Sequence, residues 1–212
     1  MNEFLLPAKE VVSELLVNNS RFIATMGPLF SQDEAKEILN RIRKQYPDAT
    51  HHVMAYIIGF GQSMISHAND DGEPSGTAGR PALSVLTGSG LGNIYAVVTR
   101  YFGGTKLGTG GLVKAYGDSV KCGLAVLPKA RLVLTTTIQS VFSYSYLERV
   151  RLLAQQNASV ILSENFTDLV SLTIQVPDIE MEKLRQGLVN LTSGQIEISI
   201  LNSNQQTIMP VD

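Results

Sequence analysis

Arg100-Tyr101-Phe102-Gly103-Gly104-Thr105-Lys106-Leu107-Gly108-Thr109-Gly110-Gly111-Leu112-Val113-Lys114 is the stretch on which the fold turns. An apolar run, Ile94–Tyr101, leads into it and reads as a buried strand. Leu112, Val113, Tyr116, Val120 and Leu124 follow on one side of a helix over 112–127. A glycine-rich passage from strand to helix leaves amides bare at the helix N-terminus, where an anion is favoured. Arg100, Lys106 and Lys114 add positive charge and Tyr101 an aromatic ring. The spacing fits neither a Walker loop, for want of Gly-Lys-Ser/Thr, nor the dinucleotide fingerprint. Anion or phosphodiester binding is the functional reading. The plainer alternative is that Gly103, Gly104, Gly110 and Gly111 let helix and sheet approach closely.

Upstream lies a second dense segment, His67-Ala68-Asn69-Asp70-Asp71-Gly72-Glu73-Pro74-Ser75-Gly76-Thr77-Ala78-Gly79-Arg80-Pro81. It gathers a histidine, three carboxylates and an arginine among turn-forming residues. Asp70, Asp71 and Glu73 offer hard oxygens and His67 a nitrogen, which is the chemistry of a divalent metal site. The spacing is not that of a calcium loop, and no metal or other cofactor is assigned. In the structural alternative, Asp70 and Asp71 satisfy turn amides or cap the following helix. Between these stands a ligand-binding loop whose carboxylates position Arg80 or a partner's base. His51 and His52 fall at a strand start, where alternation sends them to opposite faces, so they form no chelating pair unaided.

The remaining elements follow from periodicity and punctuation. Glu10–Val17 and Arg21–Met26 read as strands joined by a turn at 18–20, and Ser31-Gln32-Asp33-Glu34 as a capping box opening a helix that Pro47 ends. His52–Ile58 is a strand, 59–76 is irregular and polar, and Arg80–Leu86 is a short helix. Beyond Pro128 the order is strand 131–142, helix 144–156, strands 159–163 and 169–176, a helix from a capping Asp178 to Asn190, and strand 195–201. This is the βαββαβ order of ferredoxin-like domains. The tail, 202–212, reads as disordered.

Composition separates the halves. Of 18 glycines, 16 precede residue 130, and the charge of 1–130 is +1 against −3 for 131–212. Two domains, 1–130 and 131–212, are expected, with a hinge at 127–130. A net charge of −2 excludes an avid, charge-driven nucleic-acid binder, though not a local basic patch. One cysteine, Cys122, excludes a disulfide partner and a Cys-based zinc site. No apolar run reaches the ~20 residues of a membrane span, and MNEFLLPAKE lacks a basic start and a cleavable apolar segment, so a mature cytoplasmic chain is expected.

Two strings, Asn69–Pro81 and Val97–Tyr116, closely resemble the signature of the Impact family, and the likeness continues in Ser20-Arg21-Phe22 and His51-His52. It covers roughly residues 5–127. The βαββαβ tail is similar, in topology and placement, to the extra C-terminal domain of the bacterial, YigZ-type branch. The resemblance implies an N-terminal α/β domain of the type named for the second domain of a small-subunit ribosomal protein. Elongation factor G carries such a domain beside a ferredoxin-like one. The resemblance implies translational control in the eukaryotic branch, exercised partly through an RWD domain for which this chain has no room. The leading expectation is thus a non-enzymatic protein that binds RNA or a ribosomal or translation-factor partner. Its anion site would comprise Arg80, Arg100, Tyr101, Gly103, Gly104, Lys106, Gly110, Gly111 and Lys114, beside a signature loop of His67, Asp70, Asp71, Glu73 and Thr77. The rival is an enzyme on a phosphorylated or peptide substrate, using Asp70, Asp71 or Glu73 as base or metal ligand. The sequence leaves the oligomeric state open.

Overall fold

A short strand, Leu5–Pro7 (β1), precedes a hairpin of Val11–Val17 (β2) and Ser20–Pro28 (β3). Val17 pairs with Ser20, so only Asn18 and Asn19 remain to turn, at φ of 44° and 67°. Asparagine tolerates the left-handed region that such a two-residue turn demands. Helix Gln32–Gln45 (α1) starts as its sequence predicts: the Ser31 hydroxyl accepts from the Glu34 amide at 3.2 Å. The returning Glu34 carboxylate accepts from Phe30 N at 2.8 Å, one residue earlier than the standard box. The computed structural model describes residues 4–210.

Strands His51–Ile58 (β4) and Ile65–Ala68 (β5), helix Gly79–Gly88 (α2), strand Ile94–Tyr101 (β6) and helix Gly108–Val126 (α3) complete the first unit's elements. The sheet runs β2-β3-β6-β4-β5, with every neighbouring pair antiparallel. Alternation buries it on both faces. Val53, Ala55 and Ile57 join Ala96 and Val98 in a core with α2 and α3, while Met54 and Tyr56 join Tyr95 and Val97 in a core with α1.

Two boundaries depart from the periodicity. The segment 59–76 contains β5, an edge strand whose Ile65, Ser66 and His67 are all exposed, so no buried face marked it in the sequence. Helix α3 begins at Gly108 rather than Leu112, because its first turn, Gly108-Thr109-Gly110-Gly111, carries no apolar stripe to announce it.

The chain divides into two compact units. One runs through Arg131 and is rejoined at Met209; the other is Leu132–Ile208. Strand Lys129–Phe142 (β7) begins in the first, where Lys129–Arg131 pair with β1. The second unit continues with helix Leu147–Gln156 (α4), strands Val160–Phe166 (β8) and Val170–Pro177 (β9), helix Met181–Leu191 (α5) and strand Glu197–Pro210 (β10). Its sheet order, β10-β7-β9-β8, is that of a ferredoxin-like domain. Ile138, Leu172 and Ile174 on the sheet pack with Val150, Leu184 and Leu188 of the helices. Asp178 is not the expected helix cap. Its carboxylate accepts from the Thr136 hydroxyl at 2.7 Å, and a 3-10 turn over Asp178–Glu180 precedes α5. The tail expected to be disordered is strand β10 as far as Pro210; residues 211–212 lie outside the described residues.

Candidate functional site: a buried arginine beneath a glycine loop

The Asp70-Asp71-Gly72-Glu73 turn links β5 to α2 and divides its three carboxylates by role. Asp70 organises backbone. Its Oδ2 accepts from Gly76 N at 2.8 Å, and its Oδ1 from Ala78 N and Gly79 N at 3.0 and 2.9 Å, which caps α2. Burial by itself would raise the pKa of this carboxyl; the three amide donors outweigh it and hold the group below the ordinary aspartate value. Asp71, at φ 44°, accepts from Arg43 Nη2 at 2.7 Å and from His52 N at 2.6 Å, and its carbonyl meets His51 Nδ1 at 2.7 Å. Thr77 Oγ1 donates to the Pro74 carbonyl at 2.7 Å.

Glu73 points inward. Its side chain is 3 % exposed and Oε1 accepts from Arg100 Nη1 at 2.5 Å and from Tyr116 Oη at 2.7 Å. Burial first, and the Glu73 hydrogen bond second, push the Tyr116 hydroxyl well above the ordinary tyrosine range, so it stays a donor. His51 Nε2 lies 3.8 Å from the same carboxylate oxygen. The parity of β6 puts Arg100 on the face of Ala96 and Val98, towards α3. Its guanidinium sits over the rings of Phe22 and Phe102, 5.4 and 5.7 Å from their centroids. Arg100 Nε is buried and makes no hydrogen bond among the described residues.

Above this pair opens a groove of about 370 Å³. Glu73 and Pro74 line it from one signature string; Arg100, Phe102, Lys106, Leu107, Gly108, Thr109 and Leu112 line it from the other. The two strings therefore converge on one cleft. Helix α3 starts there with Leu107 as N-cap and no side-chain cap bond, so its first-turn amides have no side-chain acceptor among the described residues. The loop is anchored by Phe102 N on Thr50 Oγ1 at 3.2 Å and Gly103 N on Ser20 Oγ at 3.1 Å.

The loop glycines divide by cause. A Cβ at Gly103 would fall 2.1 Å from the Asn19 carbonyl carbon, so packing against the hairpin turn demands glycine. Gly104 and Gly108 sit at φ of 81° and 71°. At Gly111 a Cβ would press on Leu107 Cβ at 3.1 Å. Gly110 has neither cause: an added Cβ meets nothing within 4 Å, and its φ lies outside the left-handed region.

Several residues named from sequence lie elsewhere. Tyr101 follows Arg100 in the strand and so faces the opposite side, with Arg21 over its ring at 5.8 Å. His67 stands on β5 beside Tyr56, 5.4 Å between ring centroids, in a separate groove with Lys36 and Leu39. Arg80 and Lys114 are exposed on α2 and α3 and line no part of the cleft. Phe102, Pro74 and Tyr116 also belong to the site, although nothing in the sequence context of Phe102 or Pro74 marks them as site residues. Tyr116 carries one signal, a hydroxyl on an otherwise apolar helix face. Among the described residues no three His, Cys, Asp or Glu side chains converge on a point that could hold a metal ion.

Residues 18–124 match the Impact N-terminal domain family. The chain belongs to the Impact family. A further stretch, 141–195, matches the family described as Domain of unknown function (DUF1949). The IMPACT family member from Haemophilus influenzae is 36 % identical over 202 residues, covering 95 % of this chain and 98 % of the relative. The IMPACT family member YigZ of Escherichia coli is 35 % identical over 199 residues, covering 93 % and 98 %. A crystal structure solved as that of a hypothetical protein superposes with a TM-score of 0.60 at 34 % identity, covering 95 % of this chain and 98 % of that one. Within this Impact domain, both signature strings supply walls of the cleft over Arg100. No helix among the described residues is long and apolar enough to cross a membrane.

Proposed function

We propose that this Impact-family protein is a non-enzymatic, cytoplasmic RNA-binding protein that acts on translation, holding RNA phosphates at the cleft over Arg100. The observation that carries the reading is the bare N-terminus of α3 opening, with Lys106, onto a groove floored by a buried arginine. Arg100 and Glu73 offset each other, so Lys106 leaves the groove with a surplus positive charge. Arg80 and Lys114 add two exposed cations in the same unit, neither in an ion pair among the described residues. Binding of this kind contacts phosphates without reading bases and weakens with salt.

The loop carboxylates bear on the rival enzymatic reading. Asp70, Asp71 and Glu73 are all engaged by amides or cations. A general base must reach a substrate proton, and none of the three stands free to do so. The test is sucrose-gradient fractionation of cell lysate, with and without ribonuclease. The protein is expected in ribosomal fractions, and to leave them after RNA digestion. Sedimentation as free protein in both lysates would refute the proposed role.

A further inference from the structure

We infer that the cleft over Arg100 seats a terminal phosphate, the monoester of a nucleoside 5′-monophosphate, either free or closing an RNA chain. This rests on the RNA reading above and narrows it to one end of the ligand. The first observation is Arg100 itself. Its side chain is 6 % exposed, it spends Nη1 on Glu73, and its Nε is buried without a partner. A buried donor left unmade is costly, and an arriving acceptor removes that cost. Nε and Nη2 form the flank of the guanidinium fork that matches two oxygens of one phosphate. Neither makes a hydrogen bond among the described residues.

The second observation is the helix start. Gly108 and Thr109 line the same groove, and no side chain caps the helix at Leu107. Gly110 lies one residue on, where an added Cβ would meet no atom within 4 Å. Glycine in a helical turn is unfavourable, and packing does not account for it here. Its effect is to let an oxyanion approach the amides closely. The third observation is the wall: Pro74, Leu107, Leu112 and the half-exposed Phe102, a ring on which a nucleobase can stack. The groove's 370 Å³ suits a single nucleotide, within the range of about 300–1,000 Å³ for small-ligand sites.

Charge and valence favour the monoester over an internal diester. A diester has only two free oxygens, one negative charge, and a nucleoside on both sides to accommodate. A monoester has three free oxygens and a second charge, enough to serve the Arg100 flank and the α3 amides together.

The test titrates the full chain into a 3′-labelled single-stranded oligoribonucleotide carrying either a 5′-phosphate or a 5′-hydroxyl, read by fluorescence anisotropy. Uridine 5′-monophosphate and uridine serve as free competitors. The 5′-phosphate is expected to tighten binding by about tenfold, as a charged hydrogen-bond pair should. The monophosphate should compete and uridine should not. In Gly110→Ala, whose added methyl has open space and leaves the fold intact, the preference should fall to about twofold or less, because the methyl covers the amides. Equal binding of both oligonucleotides without competition would overturn the terminal seat and leave RNA binding standing. Capture of the monophosphate without either oligonucleotide would uphold the seat and overturn the RNA reading. Binding of nothing would overturn both. Full preference retained in Gly110→Ala would remove the α3 amides from the site and overturn the inference.

Discussion

Replacing Glu73 by Gln isolates the electrostatics of the buried pair. The amide keeps the size of the carboxylate and still offers an oxygen to Tyr116 Oη and Arg100 Nη1, so the hydrogen-bond count is preserved. What disappears is the charge, and with it the counter-ion of a guanidinium whose side chain is only 6 % exposed. Stripping one partner from a buried pair costs about 3–5 kcal/mol. The retained hydrogen bonds and the flanking Phe22 and Phe102 rings place this case near ~3 kcal/mol. At ~2–4 °C per kcal/mol, the melting temperature of the first unit should fall by roughly 6–12 °C. Differential scanning calorimetry of the full chain reads this directly. The structure predicts a second effect. Phosphate supplies the missing negative charge, so phosphate at a hundredfold excess over its dissociation constant should restore about 2.7 kcal/mol relative to chloride at equal ionic strength. A Glu73→Gln protein melting within ~2 °C of wild type, less than the shift expected from 1 kcal/mol, would refute the claim that Arg100 depends on Glu73. A large loss indifferent to phosphate would refute the claim that the cleft admits an oxyanion.

Other expectations follow from the glycines and the cap. Gly110→Ala should raise stability by about 0.5–1 kcal/mol, since the methyl meets open space and relieves the entropic cost of glycine, whereas Gly103→Ala should destabilise or block folding because its Cβ would strike the Asn19 backbone at 2.1 Å. Urea unfolding of the two variants checks the opposite signs. Asp70→Ala should cost about 1–2 kcal/mol through loss of the α2 cap, measured the same way. Asp70 also predicts an acid limb: its folded pKa lies below the unfolded 3.8, so its contribution is complete above that value and is lost as pH falls through the lowered one. The difference in urea midpoint between wild type and Asp70→Ala should therefore shrink as the buffer is taken below about pH 4.

Much of this architecture is legible in the chain. The apolar run of β6, the period of α3 and the βαββαβ order of the second unit follow from patterns that burial imposes. Asp70 as an amide acceptor is one of three readings its sequence leaves open, beside a metal ligand and a ligand loop, and the contacts to Gly76, Ala78 and Gly79 decide between them. Arg100 shows where sequence reasoning stops. An arginine near a strand end reads as surface charge, and its burial is tolerable only because Glu73, 27 residues away, arrives at 2.5 Å. That partnership is a tertiary fact. Strand parity, by contrast, was available and separates Tyr101 from Arg100. The strand expected over 195–201 continues to Pro210, an extension its sequence hides because Asn202-Ser203-Asn204-Gln205-Gln206 has a disordered composition, while its pairing with β7 uses backbone groups and the Thr135–Thr207 hydroxyl contact at 2.8 Å.

RNA phosphates are proposed to be held at the cleft over Arg100, with Lys106 on its wall and Lys114 exposed further along α3. The most direct measurement is filter retention of a mixed-sequence single-stranded oligoribonucleotide across a salt series, for wild type and Lys106→Glu/Lys114→Glu. Wild type should bind at low salt and weaken as salt rises, and the double variant should bind less with a shallower salt slope, by about one to two counterions. Its melting temperature should hardly move, since exposed charges contribute little to stability. Equal retention of the two proteins at every salt concentration would contradict the claim.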